Sequence, residues 1–415
     1  MSTRRAPARR ARPTGSRPVG AILVAVLVVA GCTAGEPILA APPASVPAIP
    51  PPTARPVAIA DPLPVVLPRD DGPHDRLTEW WYYTGHLAGA AADGKPRKLG
   101  FEYVIFRAER GSFPTTWVSH LAITDETGER FLYSQRLEVG DGVDRSPRDA
   151  AGVPTGFDLS LTGLDPSDAA TFDRPIWTMR GAGGDDALAA TLSKPEADAA
   201  GSAGGLALAL TLKAVKPPAL HDRDGWIDFG PAGGSYYYSR TAMDASGTVT
   251  LDGSESRVTG RAWFDHQWGD FISVGGGGWD WFALNLDGGT DLTLSLVRNA
   301  DGSYPLIYGT VVDPDGTTRH LGRDDFTVNV TSRWTSPTTG ADYPAGWTIE
   351  IPGLDDLVIE LRPTVAAQEL DTRSTTGVVY WEGSQVVTGT RGGVPIGGQA
   401  YVELTGYAPS DAASP

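Results

Sequence analysis

Cysteine is nearly absent: Cys32 is the single one among 415 residues, so no disulfide can form within the chain and no thiolate metal cluster is available. Long apolar runs are missing too. The Ala21–Ala30 run is well short of the ~20 residues a spanning helix needs. No G-x-S-x-G elbow occurs, which argues against a standard α/β-hydrolase, and no H-E-x-x-H, P-loop or dinucleotide fingerprint is present. The six histidines (His74, His86, His120, His221, His266 and His320) are scattered without close ligand spacing, so neither a metal nor a cofactor is expected. Positive charge is scarce. Removing residues 1–31 takes away six arginines and no acid, leaving a net charge of −22. Such a surface repels nucleic acid and anionic headgroups.

What stands at the N-terminus is an address. Arg4, Arg5, Arg9, Arg10, Arg12 and Arg17 precede the apolar run, which ends in Val29-Ala30-Gly31-Cys32. This pattern resembles a secretory signal closed by the lipobox of bacterial lipoproteins. It implies cleavage before Cys32 and a lipid on its sulfur, anchoring the protein on the extracytoplasmic side of a membrane in the cell envelope. Eleven prolines in residues 33–69 predict an extended tether, taken with Cys32 as segment 32–69.

Beyond the tether the sequence reads as short strands punctuated by Gly, Asp and Pro, with no convincing amphipathic helix. Glu79–Leu87, Leu99–Arg107 and Trp117–Thr124 are aromatic-rich β runs. Leu292, Leu294 and Leu296 alternate with Thr293 and Ser295, as in a strand with one face in an apolar core. Gly181–Gly205 suits a short helix or a long loop. The Pro- and Gly-rich stretch Lys216–Gly234 is the expected domain boundary, dividing the folded part into 70–225 and 226–410. The fold class is all-β, as sandwiches or barrels.

Chemistry can sit in one constellation. Glu79-Trp80-Trp81-Tyr82-Tyr83 opens the first strand, Asp265-His266-Gln267-Trp268 ends another, and Trp279-Asp280-Trp281 starts the next. In an extended chain His266 and Trp268 share one face, with Asp265 and Gln267 on the other. Carboxylates among so many tryptophans are costly to bury unless paired, and burial raises their pKa. The competing reading is structural, because tryptophans in β proteins are mostly core and Asp-His pairs often cap strand ends.

These residues also carry a family resemblance. T-E-W-W-Y-Y-T-G-H-L at Thr78–Leu87 and G-F-E-Y-V-I-F-R at Gly100–Arg107 are followed by S-Y-Y-Y-S-R at Ser235–Arg240. G-R-A-W-F-D-H-Q-W-G at Gly260–Gly269, V-Y-W-E-G at Val379–Gly383 and G-Q-A-Y-V-E-L-T-G-Y at Gly398–Tyr407 complete the series. Together they resemble the AttH/carotenoid 1,2-hydratase family. The resemblance implies two lipocalin-like β domains packed together and a hydrophobic small-molecule ligand held in or between them. It implies His266 and Trp268 as pocket residues, with a carboxylate nearby as acid: Asp265, Asp280 or Glu79. A tyrosine and an aspartate implicated further downstream in hydratase members are replaced by Thr293 and Ser295.

Two functions follow as expectations. One is an enzyme, a hydro-lyase or isomerase rather than a hydrolase, acting on a polyene or terpenoid-like substrate. Its ligand would be lined by Trp80, Trp81, Tyr83, Tyr103, Tyr237, Trp268, Trp279 and Trp281. The alternative is a non-catalytic lipid carrier serving an envelope transporter. The two differ in whether a carboxylate faces the cavity beside His266.

Overall fold

Successive side chains of a strand point to opposite faces, so a run that is apolar at both parities has to be covered on both sides. Glu79–Leu87 is such a run. The computed structural model describes residues 62–91, 93–163, 173–271 and 276–408. Cys32, the apolar run before it and nearly all of the tether lie outside the described residues.

The first lobe is built from β1 (Thr78–Ala90), β2 (Pro96–Ala108), β3 (Thr116–Asp125), β4 (Arg130–Val139), β5 (Phe157–Leu161), β6 (Trp177–Ala182), β7 (Asp185–Thr191) and β8 (Leu206–Ala214). Two short strands follow, β9 (Ala219–Leu220) and β10 (Trp226–Asp228), then the long hairpin of β11 (Gly234–Leu251) and β12 (Ser254–Gly269). The sheet order is β4-β3-β2-β1-β12-β11-β8-β7-β6-β5, with β9 and β10 paired to β11. Beyond β4, Ser160 N–H donates to Val143 O at 3.0 Å and Asp144 bridges Leu159, so the sheet curls almost into a barrel. Asp252 and Gly253 both take positive φ between β11 and β12, the two-residue turn whose twist matches an antiparallel hairpin. One short helix, α1 (Lys194–Ala199), is closed by a capping box of Ser193 and Glu196.

The second lobe contains β13 (Gly276–Leu286), β14 (Asp291–Asn299), β15 (Leu306–Val312), β16 (Thr318–Leu321) and β17 (Thr327–Thr335). It continues with β18 (Asp342–Ile351), β19 (Leu357–Pro363), β20 (Glu369–Asp371), β21 (Val379–Arg391) and β22 (Val394–Thr405). Its order is β16-β15-β14-β13-β22-β21-β19-β18-β17, with β20 on β21. The protein is thus nearly all β, with two lipocalin-like lobes. The expected boundary at Lys216–Gly234 is displaced. Its prolines and glycines make loops, but β9 and β10 within it still pair with β11, and the change of sheet falls between Gly269 and Gly276.

Parity assigns each strand two environments. Trp81 and Tyr83 point into the first lobe's core with Phe101, Tyr103, Trp177 and Phe264. Trp80 and Tyr82 point outward and meet Trp263, Trp281 and Tyr401 between the lobes. Likewise Leu292 and Leu294 enter the second lobe's core beside Trp347 and Trp381, and the intervening Thr293 and Ser295 are buried on the opposite face. Each large apolar side chain removed from water contributes ~1.5–3 kcal/mol at most. The inter-lobe seam is also polar: Thr124 donates to Gln368 (2.7 Å), Lys216 pairs with Asp291 (2.6 Å), and Trp281 Nε1 donates to the Tyr237 hydroxyl (3.0 Å). At Gly100 a Cβ would stand 2.7 Å from the Tyr401 hydroxyl and 2.8 Å from Ser384 Cβ, so glycine is what allows the lobes to close there.

Candidate functional site

Outward-facing residues of both lobes line a cavity of about 220 Å³. Trp80, Tyr82, Glu102, Phe106 and His120 come from β1, β2 and β3; Tyr237 and Asp265 come from β11 and β12. The second lobe supplies Trp279, Trp281, Ser295, Tyr308, Tyr380 and Glu403. No lysine or arginine lines the cavity among the described residues.

Three carboxyls therefore face an aromatic, cation-free space. Glu102 is 1% exposed, and burial pushes it up to about 8 despite the hydrogen bond its Oε1 accepts from Tyr380 (2.9 Å). Its Oε2 is buried without a partner. A proton on that oxygen removes the buried negative charge, while the bonded oxygen still accepts from Tyr380. The Tyr380 hydroxyl also lies 2.7 Å from His120 Nδ1, so it can pass a proton between Glu102 and His120. Burial lowers His120 to about 3, leaving the imidazole neutral. Glu403, half-buried in the cavity wall, is raised by burial to about 7, with Trp279 opposing the shift. Burial raises Asp265 to about 6 even though it accepts from Tyr237 (2.6 Å), Trp263 Nε1 (2.7 Å) and Ser239. Just behind the lining, Glu382 accepts from Tyr82 (2.8 Å); burial and then the nearby Glu102 and Glu403 hold it well above its ordinary value.

The residues expected from the sequence divide between three places. Trp80, Tyr237, Trp279, Trp281 and Asp265 line the cavity. Trp81, Tyr83, Tyr103, Trp268, His266 and Glu79 lie inside the first lobe. Asp280 lies inside the second, 3.2 Å from Arg298 and bonded by Tyr407 (3.0 Å); burial raises it to about 6 against the pull of Arg298. The carboxylate beside His266 is Glu79, and the pair does not face the inter-lobe cavity. Ser295, one of the two positions that the family resemblance singled out on β14, does line it. Glu102, Glu403, His120, Tyr308 and Tyr380 are absent from the sequence-derived set. A signal for the acids was present: Gly100–Arg107, Val379–Gly383 and Ala400–Thr405 each hold one glutamate within a run otherwise suited to burial on both faces.

Inside the first lobe, β1 and β12 bring Glu79 and His266 together, and the turn before β1 adds His74. Glu79 Oε1 is 2.7 Å from His74 Nδ1 and 3.0 Å from His266 Nε2, and the His74 backbone N–H donates to Oε2 at 3.0 Å. Burial works to raise Glu79, but the charge of His74 and the hydrogen bonds of both imidazoles outweigh it and hold the carboxyl at about 2. Burial lowers His266, with Glu79 opposing. Trp268 stacks on His74 at 4.0 Å, and Trp81 stacks on His266 at 4.7 Å. The three donor atoms lie within 4.8 Å of one another, so these residues could hold a metal ion; in the fold described here they bond to each other. The expectation of no metal site rested on sequence spacing, which does not register that residues 74, 79 and 266 converge.

Comparison with known proteins places this architecture. Among solved structures, an AttH protein of Nitrosomonas europaea is 30% identical, with a TM-score of 0.66, covering 83% of this chain and 98% of its own. Kievitone hydratase of Nectria haematococca shares the fold at 15% identity and a TM-score of 0.56, covering 84% of this chain and 94% of its own. No curated protein sequence matches. The AttH-like family model matches residues 58–407, the whole of both lobes, and the chain belongs to that family.

Proposed function

We propose that the protein binds an apolar small molecule between its lobes and adds water to, or isomerises, a C=C bond of it by acid catalysis. The observation that carries this reading is Glu102: a fully buried carboxyl, protonated near neutral pH, with one unpartnered oxygen on an aromatic cavity. An unactivated alkene needs a carboxylic acid rather than a carboxylate, and desolvation is how a fold keeps one protonated. In the hydration, Glu102 gives its proton to one alkene carbon and the π pair becomes the new C–H bond. The cation left on the other carbon is stabilised by the faces of Trp80, Trp279 and Trp281. Water attacks that carbon and gives up a proton to the carboxylate of Glu403 or Asp265; that proton passes to solvent and Glu102 takes one back from solvent, so the cycle closes with one water added. If a neighbouring C–H proton is lost instead, the product is an isomer. His266, which does not reach the cavity, has a positioning role within the first lobe in this scheme.

The identity of kievitone hydratase as a hydratase agrees with this chemistry, at the level of a shared fold. The anchor read from Val29-Ala30-Gly31-Cys32 would hold the cavity beside a membrane, a reservoir of apolar ligand. The test is organic extraction and mass spectrometry of protein purified from its own host. Any ligand recovered is then incubated with wild type and with Glu102→Gln. A water-adduct or isomer formed by wild type and lost in Glu102→Gln supports the reading. A ligand that is bound and returned unchanged by both makes the protein a carrier.

A further inference from the structure

We propose that the inter-lobe cavity is a receptor for an organic cation, a lipophilic tertiary amine or quaternary ammonium, which it prefers to a neutral molecule of the same shape. This rests on the reading of that cavity as the ligand site and adds the charge of its occupant. Four carboxyls stand in or against the cavity, Glu102 and Asp265 from the first lobe and Glu382 and Glu403 from the second, with no lysine or arginine in the lining among the described residues. Two of their oxygens, Glu102 Oε2 and Glu382 Oε2, are buried without a hydrogen-bond partner. Several buried acids elsewhere in the molecule have a cation beside them: Asp71 has Arg240, Asp291 has Lys216 and Asp280 has Arg298. The four cavity acids form no such pair among the described residues, and the missing positive charge is what a ligand can bring.

The aromatic lining points to the same occupant. Trp281 lies edge-on to both Tyr82 (5.3 Å, 90°) and Trp263 (6.2 Å, 83°), while Trp80 is edge-on to Phe106 and Phe271. In none of these pairs is one ring face stacked on the other. Indole and phenol faces attract a desolvated alkylammonium, and the attraction is strongest where water is excluded. A strongly hydrated metal ion or ammonium would not be favoured by so apolar a wall; an alkylated cation is.

Binding should release a proton. Without ligand, burial holds Glu403 at about 7 and Glu382 well above its ordinary value, and a cation beside them favours their carboxylates, while Glu102 keeps the proton that the proposed reaction needs. The remaining ionisable groups that face these acids are His120 from β3, Tyr82 from β1, Tyr237 from β11, Tyr308 from β15, Tyr380 from β21 and Tyr401 from β22. The tyrosines are all held above their ordinary value by burial, and His120 is neutral, so none of them supplies the charge.

The experiment compares phenyltrimethylammonium with tert-butylbenzene, its neutral isostere, on the full-length protein. Binding is followed by tryptophan fluorescence and by calorimetry at pH 7 in two buffers of different ionisation enthalpy. The cation is expected to bind roughly tenfold or more tightly than the isostere, with release of about one proton. Glu382→Gln/Glu403→Gln, which keeps the shapes and spares Glu102, should remove most of that preference. Equal or tighter binding of tert-butylbenzene overturns the cation inference while leaving the cavity as an apolar ligand site. A preference that survives the double substitution also overturns it. Failure of both probes to bind wild type rejects the cavity as a ligand site, and the proposed function with it.

Discussion

Glu102 should make the protein less stable as pH rises. An unfolded glutamate titrates near 4.5, whereas in the fold burial holds Glu102 at about 8. Between these values the native state keeps a proton that the unfolded chain has released. The stability this supplies is fully present below pH 4.5 and is lost as pH rises through 8, at up to about 1.4 kcal/mol per pH unit. From pH 5 to pH 8 the loss from this one group is roughly 4 kcal/mol, a large share of the ~5–15 kcal/mol that holds a typical domain. Glu403 and Asp265 act in the same direction up to about 7 and 6. The assay is urea denaturation of wild type and Glu102→Gln at half-unit steps from pH 5 to 8.5. The amide has the size of the acid and no proton to lose, so wild type should lose stability relative to the variant as pH rises. Parallel curves would refute the reasoning, because they would mean that Glu102 ionises in the folded protein as freely as in water.

Three other outcomes are expected. Asp71→Asn leaves Arg240, 2% exposed, without its 2.7 Å partner and should cost about 3–5 kcal/mol in denaturant unfolding. Gly100→Ala forces a methyl against Tyr401 and Ser384 across the seam; a loss of about 1–3 kcal/mol should appear in the thermal midpoint, while an unchanged midpoint would mean the lobes separate without cost. Cys32→Ser should move the protein from the membrane fraction to the soluble fraction of its host, and unchanged membrane association would argue against the lipid anchor.

The fold was legible because its signals are local. Alternation in Leu292–Leu296 and the dense β runs at Glu79–Leu87 and Leu99–Arg107 specify strands whatever their partners. The six ordered motifs were enough to indicate the family that the comparisons show. The candidate site was half legible. Sequence spacing put Asp265 opposite His266 in facing, which β12 reproduces, but it could not tell which face looks into the lobe and which toward the neighbour. That choice depends on how two sheets pack, a non-local fact. Glu79 drew notice through its adjacent tryptophans, yet its partners are His74 and His266 inside the lobe. Glu102 and Glu403, 301 positions apart, become neighbours only once both sheets are complete. The boundary at Lys216–Gly234 was misplaced for a similar reason, since loop chemistry marks a turn without saying which sheet the next strand joins.

The pairing of β1 with β12 also fixes a schedule. Thr78 finds Gly269 only after the chain has run through all the intervening strands of the first lobe, and Leu286 waits in the same way for Gly398 in the second. Until then one edge of the Trp-Trp-Tyr-Tyr strand has no partner, and an unpaired aromatic edge is a template for other chains. A ribosome or export channel that delivers the protein from its N-terminus therefore releases its most adhesive strand first and the strand that covers it nearly two hundred residues later. The hazard lies in that interval, and a helper that shields the edge of β1 would matter more to yield than any later step.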